Sequence, residues 1–187
     1  MRAAPWTFVL VSILVACGGE AKEGGEVEAG DEAKTEAKAG GSLDAFSAYQ
    51  AKSMAAEAKV NVGVITRGVK MAFEEELFDP ATMTATTGRL LAAPMTPPAG
   101  SCCKQPGGTC RPDMGDWSHE GWKAAMFQLS EPHRYSYEIA VDGQTVTVRA
   151  VGDLDCDGEL ATYEAVGTIK DGALEFSPEV HETAPLE

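Results

Sequence analysis

The densest run of chemistry in the chain is Asp153-Leu154-Asp155-Cys156-Asp157-Gly158-Glu159-Leu160-Ala161-Thr162-Tyr163-Glu164. It fits D-x-D-x-D-G followed by five residues and a glutamate, the spacing of a calcium loop. Hard Ca2+ takes several oxygens around one point, and alternate aspartates with a glycine-permitted turn can wrap them there. In this reading Asp153, Asp155 and Asp157 give side-chain oxygens, Glu159 gives its carbonyl and Glu164 a bidentate carboxylate. The same groups repel one another unless a cation or solvent screens them. Strand-like sequence flanks the loop on both sides, which would turn Glu164 away from the aspartates. The competing reading is a solvated acidic hairpin loop in which Asp and Gly supply turn geometry.

Four cysteines carry the next candidate chemistry. Adjacent Cys102 and Cys103 are poorly placed to bond each other, given the Cα separation a disulfide prefers. One of them therefore pairs with Cys110 and the other with Cys156, which would pin the acidic loop to a proline-rich loop. A metal site of Cys102, Cys103, Cys110 and His119 is the alternative, but no C-x-x-C spacing accompanies it. Trp117, Trp122, Tyr135 and Tyr137 form either an aromatic binding surface or core beneath a long loop. His119, His133 and His181 have no partners at catalytic spacing, and no nucleophile elbow, phosphate loop or zinc-protease motif occurs. The expectation is a protein that is not an enzyme.

These groups must be held by a small set of elements. A helical pattern runs from Leu43 to about Leu77, with Ser42 as N-cap and an apolar stripe of Val62, Ile65, Val69 and Phe73. Gly63 and Gly68 each cost it about 1 kcal/mol relative to alanine. Asp79-Pro80 is expected to end it. Residues 80–116 hold six prolines and read as irregular. A short helix is predicted over about 119–129. Alternation at Tyr135, Tyr137, Ile139 and Val141, the Asp142-Gly143 turn, and Val146, Val148 and Ala150 predict a hairpin. A strand over about 162–170, the Asp171-Gly172 turn and a short strand over 173–176 complete the set. One long helix followed by strands predicts an α+β head over 43–178, its helix packed on an antiparallel sheet of about four strands, with a disulfide-stapled loop and a loose tail at 179–187.

The chain has 187 residues and a formal net charge of −14. That balance argues against nucleic acid as a partner, which needs basic patches. Met1-Arg2, the apolar run Trp6–Ala16 and a small-residue exit make a secretory signal over 1–16, too short to span a bilayer. Leu14-Val15-Ala16-Cys17 resembles a bacterial lipobox. The resemblance implies that Cys17 is acylated (a palmitate-class chain) and becomes the first mature residue. Membrane attachment through that lipid, at the cell envelope and with Gly18 resembling outer-membrane sorting, is the expected location. Residues 17–42 then form an acidic Gly/Ala/Glu/Lys tether that buries too little apolar surface to fold. An oxidising compartment favours the disulfides.

Three stretches resemble the globular head of type IV pilin-like proteins. Glu57-Ala58-Lys59-Val60-Asn61-Val62-Gly63-Val64-Ile65 is similar to the exposed half of the pilin helix. Trp117 to Tyr137, with Gly121-Trp122, Phe127, Pro132 and Arg134-Tyr135-Ser136-Tyr137, is similar to a Trp-rich loop and first strand. Gly152-Asp153-Leu154-Asp155-Cys156-Asp157-Gly158 is similar to a Gly-Asp-Leu-Asp-Gly-Asp-Gly loop, with Cys156 where the family has glycine. The resemblance covers about residues 46–176 and implies a pilin-like head. The apolar half-helix that builds a pilin filament is missing here, so filament assembly is not expected. The function expected is structural or partner-binding in the envelope, with an unidentified envelope protein as partner. A solute- or metal-binding lipoprotein is the alternative.

Overall fold

The computed structural model describes residues 40–185. The expected signal at 1–16, Cys17 and the expected tether as far as residue 39 lie outside the described residues. Helix α1 spans Gly40–Glu74, 35 residues and so about 52 Å. Ser42 thus lies inside it rather than at its cap. It stops three residues before the expected end. Glu74, Glu75 and Glu76 follow its last stripe residue, Phe73, and carboxylates are unfavourable at the negative end of a helix dipole. Leu77–Asp79 instead forms β1, paired with β2 (Thr84–Thr86). Among the described residues no helix is long and apolar enough to cross a membrane.

The main sheet is antiparallel and has six strands: β3 (Ala93–Thr96), β4 (Ser136–Asp142), β5 (Thr145–Gly152), β6 (Ala161–Lys170), β7 (Ala173–Phe176) and β8 (His181–Thr183). The expected four strands fall short by β3 and β8. β3 contains Pro94, which a strand tolerates only at an edge, and β3 is an edge strand. β8 is exposed at all three positions, so it carries no alternation to read. It occupies part of the segment expected to be loose. On one side of β6, β7 pairs with Gly167–Lys170 and β8 with Thr162–Glu164. The Ser177 N–H bonds the Val166 carbonyl between them. Asp171 (φ +52°) and Gly172 (φ +81°) form the two-residue β6–β7 turn, both in the left-handed region that such turns require.

One face of the sheet meets α1. Ala55, Ala58, Val62, Ile65, Val69 and Phe73 recur every three or four residues along the helix and are buried. They join Ile139, Val146, Val148, Ala150, Tyr163, Ala165 and Leu174 in one core. The other face is solvated, and there Arg149 on β5 bridges Glu138 on β4 and Glu164 on β6. Helix α2 is shorter than expected, at Glu120–Ala124, and lies against α1. A methyl added to Gly68 would overlap the Ala125 carbonyl oxygen and lie 2.8 Å from its carbon. Gly68 is thus the point of close approach between the two helices.

Candidate functional site: the disulfide-pinned acidic loop

Two loops meet at one end of the sheet. The first, residues 97–116, is built from three single-turn 3-10 helices at Cys102–Lys104, Pro106–Gly108 and Pro112–Met114. The second joins β5 to β6 and carries the aspartates. Cys102 bonds Cys110, and Cys103 bonds Cys156, with Cα separations of 4.6 and 5.4 Å. The second bridge closes 53 residues of chain and joins the two loops. The cysteines are therefore taken, and His119 is exposed and caps α2 by accepting the Gly121 N–H through Nδ1 at 3.2 Å. The Cys102, Cys103, Cys110 and His119 set does not assemble as a metal site.

The acidic loop folds on its own side chains. Asp153 Oδ2 accepts the Gly158 N–H at 3.2 Å, Asp155 Oδ1 the Asp157 N–H at 3.3 Å, and Asp157 Oδ1 the Glu159 N–H at 2.7 Å. These side-chain-to-backbone turns are the local alternative to continuing the strand. Cys156 sits at φ +66°, a conformation that favours glycine and costs a side chain about 1–2 kcal/mol. Its disulfide to Cys103 holds it there. The Cys103 sulfur lies 2.8 Å from the Asp153 carbonyl oxygen, and a disulfide sulfur has no proton, so this is a packing contact.

The structure divides the predicted calcium set. One oxygen each from Asp153, Asp155 and Asp157 lies within 4.8 Å of the others. Glu164 does not join them. It sits on β6, opposite Arg149, whose Nε–H donates to it. That bond is the leading reason the Arg149 guanidinium holds its proton above the ordinary arginine range. Glu159 is exposed, with its N–H given to Asp157.

Of the two readings of the aromatic residues, the structure shows the core and not the binding surface. Trp122, Tyr135 and Tyr137 are fully buried, and Trp117 is half-buried. Trp117 packs edge-on to Trp122 at 5.4 Å and to Phe127 at 5.6 Å, and Phe127 does the same to Tyr137 at 5.5 Å. Trp122 Nε1–H donates to Thr96 Oγ1 at 3.0 Å, which satisfies its buried polar edge. Tyr137 donates to Glu57 Oε1 and accepts from Asn61 Nδ2, both on α1. Burial, and then the nearby Glu57 carboxylate, raise the Tyr137 hydroxyl well above the usual phenol range. Burial also raises Tyr135 and Tyr163.

Sequence reasoning missed His133. Its backbone pairs antiparallel with Cys110, and the ring lies with the Cys102–Cys110 sulfurs inside one 4.8 Å cluster. The contact spans a long loop, and no local spacing announces it. It also missed Lys104, which lines a hollow with Asp153, Asp157, Gly158 and Leu160. Comparison with family models, with curated proteins and with solved structures finds no match to this chain.

Proposed function

We propose that the chain is a non-enzymatic, lipid-anchored protein of the bacterial cell envelope, whose pilin-like head presents its stapled loop surface to a protein partner. One observation carries the choice of partner over small solute: the aromatic residues are packed as core and line no hollow. A solute-binding head built on Trp117, Trp122, Tyr135 and Tyr137 needs those rings to line a hollow, and they fill one another's space instead. The two cross-linked loops, rather than the interior, are then the available binding surface. One long helix on an antiparallel sheet is the frame such a head requires. The charge of −14 and the lipobox-like Leu14–Cys17 support a soluble head on an acyl tether.

The test is intact-mass analysis of protein purified from the membrane fraction of an expressing bacterium. The expected product begins at Cys17 and carries acyl chains, and Cys17→Ser should release the head from membranes. An unacylated N-terminus beyond residue 17, or assembly into fibres under the electron microscope, overturns the reading.

A further inference from the structure

We propose that the β5–β6 loop binds one divalent cation, Ca2+ in preference to Mg2+, through the carboxylates of Asp153, Asp155 and Asp157, with Glu164 taking no part. The inference stands on the loop alone and needs neither the tether nor the partner.

The first observation is spacing. Oxygens on opposite sides of a calcium ion lie about 4.8 Å apart, twice its bond length of about 2.4 Å. One oxygen from each aspartate already falls within that span. Mg2+ demands near-ideal octahedral geometry at shorter distances, so an irregular loop suits the more flexible shell of Ca2+ better.

The second observation is independent of the clustering. Asp153 is only 9% exposed, and its Oδ1 is shielded from water and accepts no hydrogen bond. Its other oxygen is spent on the Gly158 N–H. A buried carboxylate oxygen without a donor is costly unless a positive charge faces it. Among the described residues no arginine or lysine forms an ion pair with Asp153, Asp155 or Asp157. Lys104 lines the same hollow, but it is exposed and bonds none of the three. A cation bound among the aspartates supplies the missing charge, and water completes its shell.

The Cys103–Cys156 bond runs through the middle of the ligand run, between Asp155 and Asp157. It fixes the loop before the ion arrives, so less ordering remains to oppose binding. Opening it should weaken binding without removing a ligand.

Calorimetric titration of the oxidised full chain with CaCl2 and with MgCl2 tests this, alongside melting curves. Three carboxylates on an exposed loop belong to the weaker, extracellular class, with Kd of about 0.1–1 mM. The expected result is calcium binding in that range, tighter than magnesium, with a melting temperature that rises with calcium and falls with chelator. Asp155→Asn and Asp157→Asn, both exposed and outside the core, should each weaken binding about tenfold or more. Glu164→Gln should leave Kd unchanged whatever it does to stability. The Cys103→Ser/Cys156→Gly pair should weaken binding severalfold. No calcium response at about 10 mM, well above that Kd, overturns the site. So does unaltered binding in Asp155→Asn and Asp157→Asn, while loss of binding in Glu164→Gln overturns the ligand set. A calcium response that appears only in Lys104→Gln would mean that Lys104 is the native countercharge, and it overturns the proposal too.

Discussion

Gly63 and Gly68 sit five positions apart on one helix, and replacing each by alanine should move stability in opposite directions. In a helix interior alanine is favoured over glycine by about 0.8–1.0 kcal/mol. At Gly63 an added methyl meets nothing closer than the end of the Arg67 side chain, at 3.9 Å. Gly63→Ala should therefore keep the full gain and raise the melting temperature by about 2–4 °C. At Gly68 the methyl overlaps the Ala125 backbone, with the carbonyl carbon at 2.8 Å and Cα at 3.1 Å. Backbone cannot swing aside as a long side chain does, so an overpacking cost near the upper end of about 1–3 kcal/mol applies. Subtracting the propensity gain leaves Gly68→Ala destabilised by about 1–2 kcal/mol. The two variants should differ by about 2–3 kcal/mol in urea unfolding with disulfides intact and m unchanged. Equal stabilisation by both substitutions would refute the close packing of α1 on α2.

Trp122→Phe removes a buried donor to Thr96 and leaves space beside Trp117, and should cost about 2 kcal/mol in equilibrium unfolding. Breaking Cys103–Cys156 with a double serine variant frees a loop of 53 residues, and the chain-entropy model gives a loss of about 4 kcal/mol, readable as a lowered urea midpoint. Tyr135, Tyr137 and Tyr163 are raised by burial, so the native state resists their ionisation while the unfolded chain does not. Their neutral forms contribute stability that is fully present below the unfolded value, about pH 10, and is lost as pH rises beyond it. Phenolate absorbance from these rings should accordingly appear together with unfolding rather than ahead of it. Glu57→Ala removes the acceptor of the Arg134 N–H and the Tyr137 hydroxyl, and should cost about 2–3 kcal/mol. Glu57→Gln should retain part of that.

What could be read from the sequence was what local periodicity encodes. The stripe Val62, Ile65, Val69 and Phe73 and the alternation through β4 and β5 mark the two faces that meet in the core. Cys102 and Cys103 exclude each other as partners, and this left Cys110 and Cys156 for them, as observed. What could not be read depends on distant chain. Trp122 and Tyr137 look alike whether buried or exposed, and only the arrival of Thr96, Phe127 and α1 decides it. Glu164 matches a loop pattern by count, yet on a strand its direction follows the two-residue repeat, and Arg149 on the neighbouring strand claims it. The proline in β3 masked an edge strand, and β8 has no apolar residue to reveal it.

The outer margin of β6 has a consequence for how one copy of this chain meets another. A ten-residue strand with a bare rim is a template on which a second molecule can lay its own backbone. Here the rim is shared by two short segments from the end of the chain, with the Ser177 amide filling the break. Whatever new rim they present is short, interrupted and, at β8, polar, so runaway stacking of one copy on the next finds little to grip. Removing β8 should bare the Thr162–Glu164 backbone and make one copy prone to pair edge to edge with another.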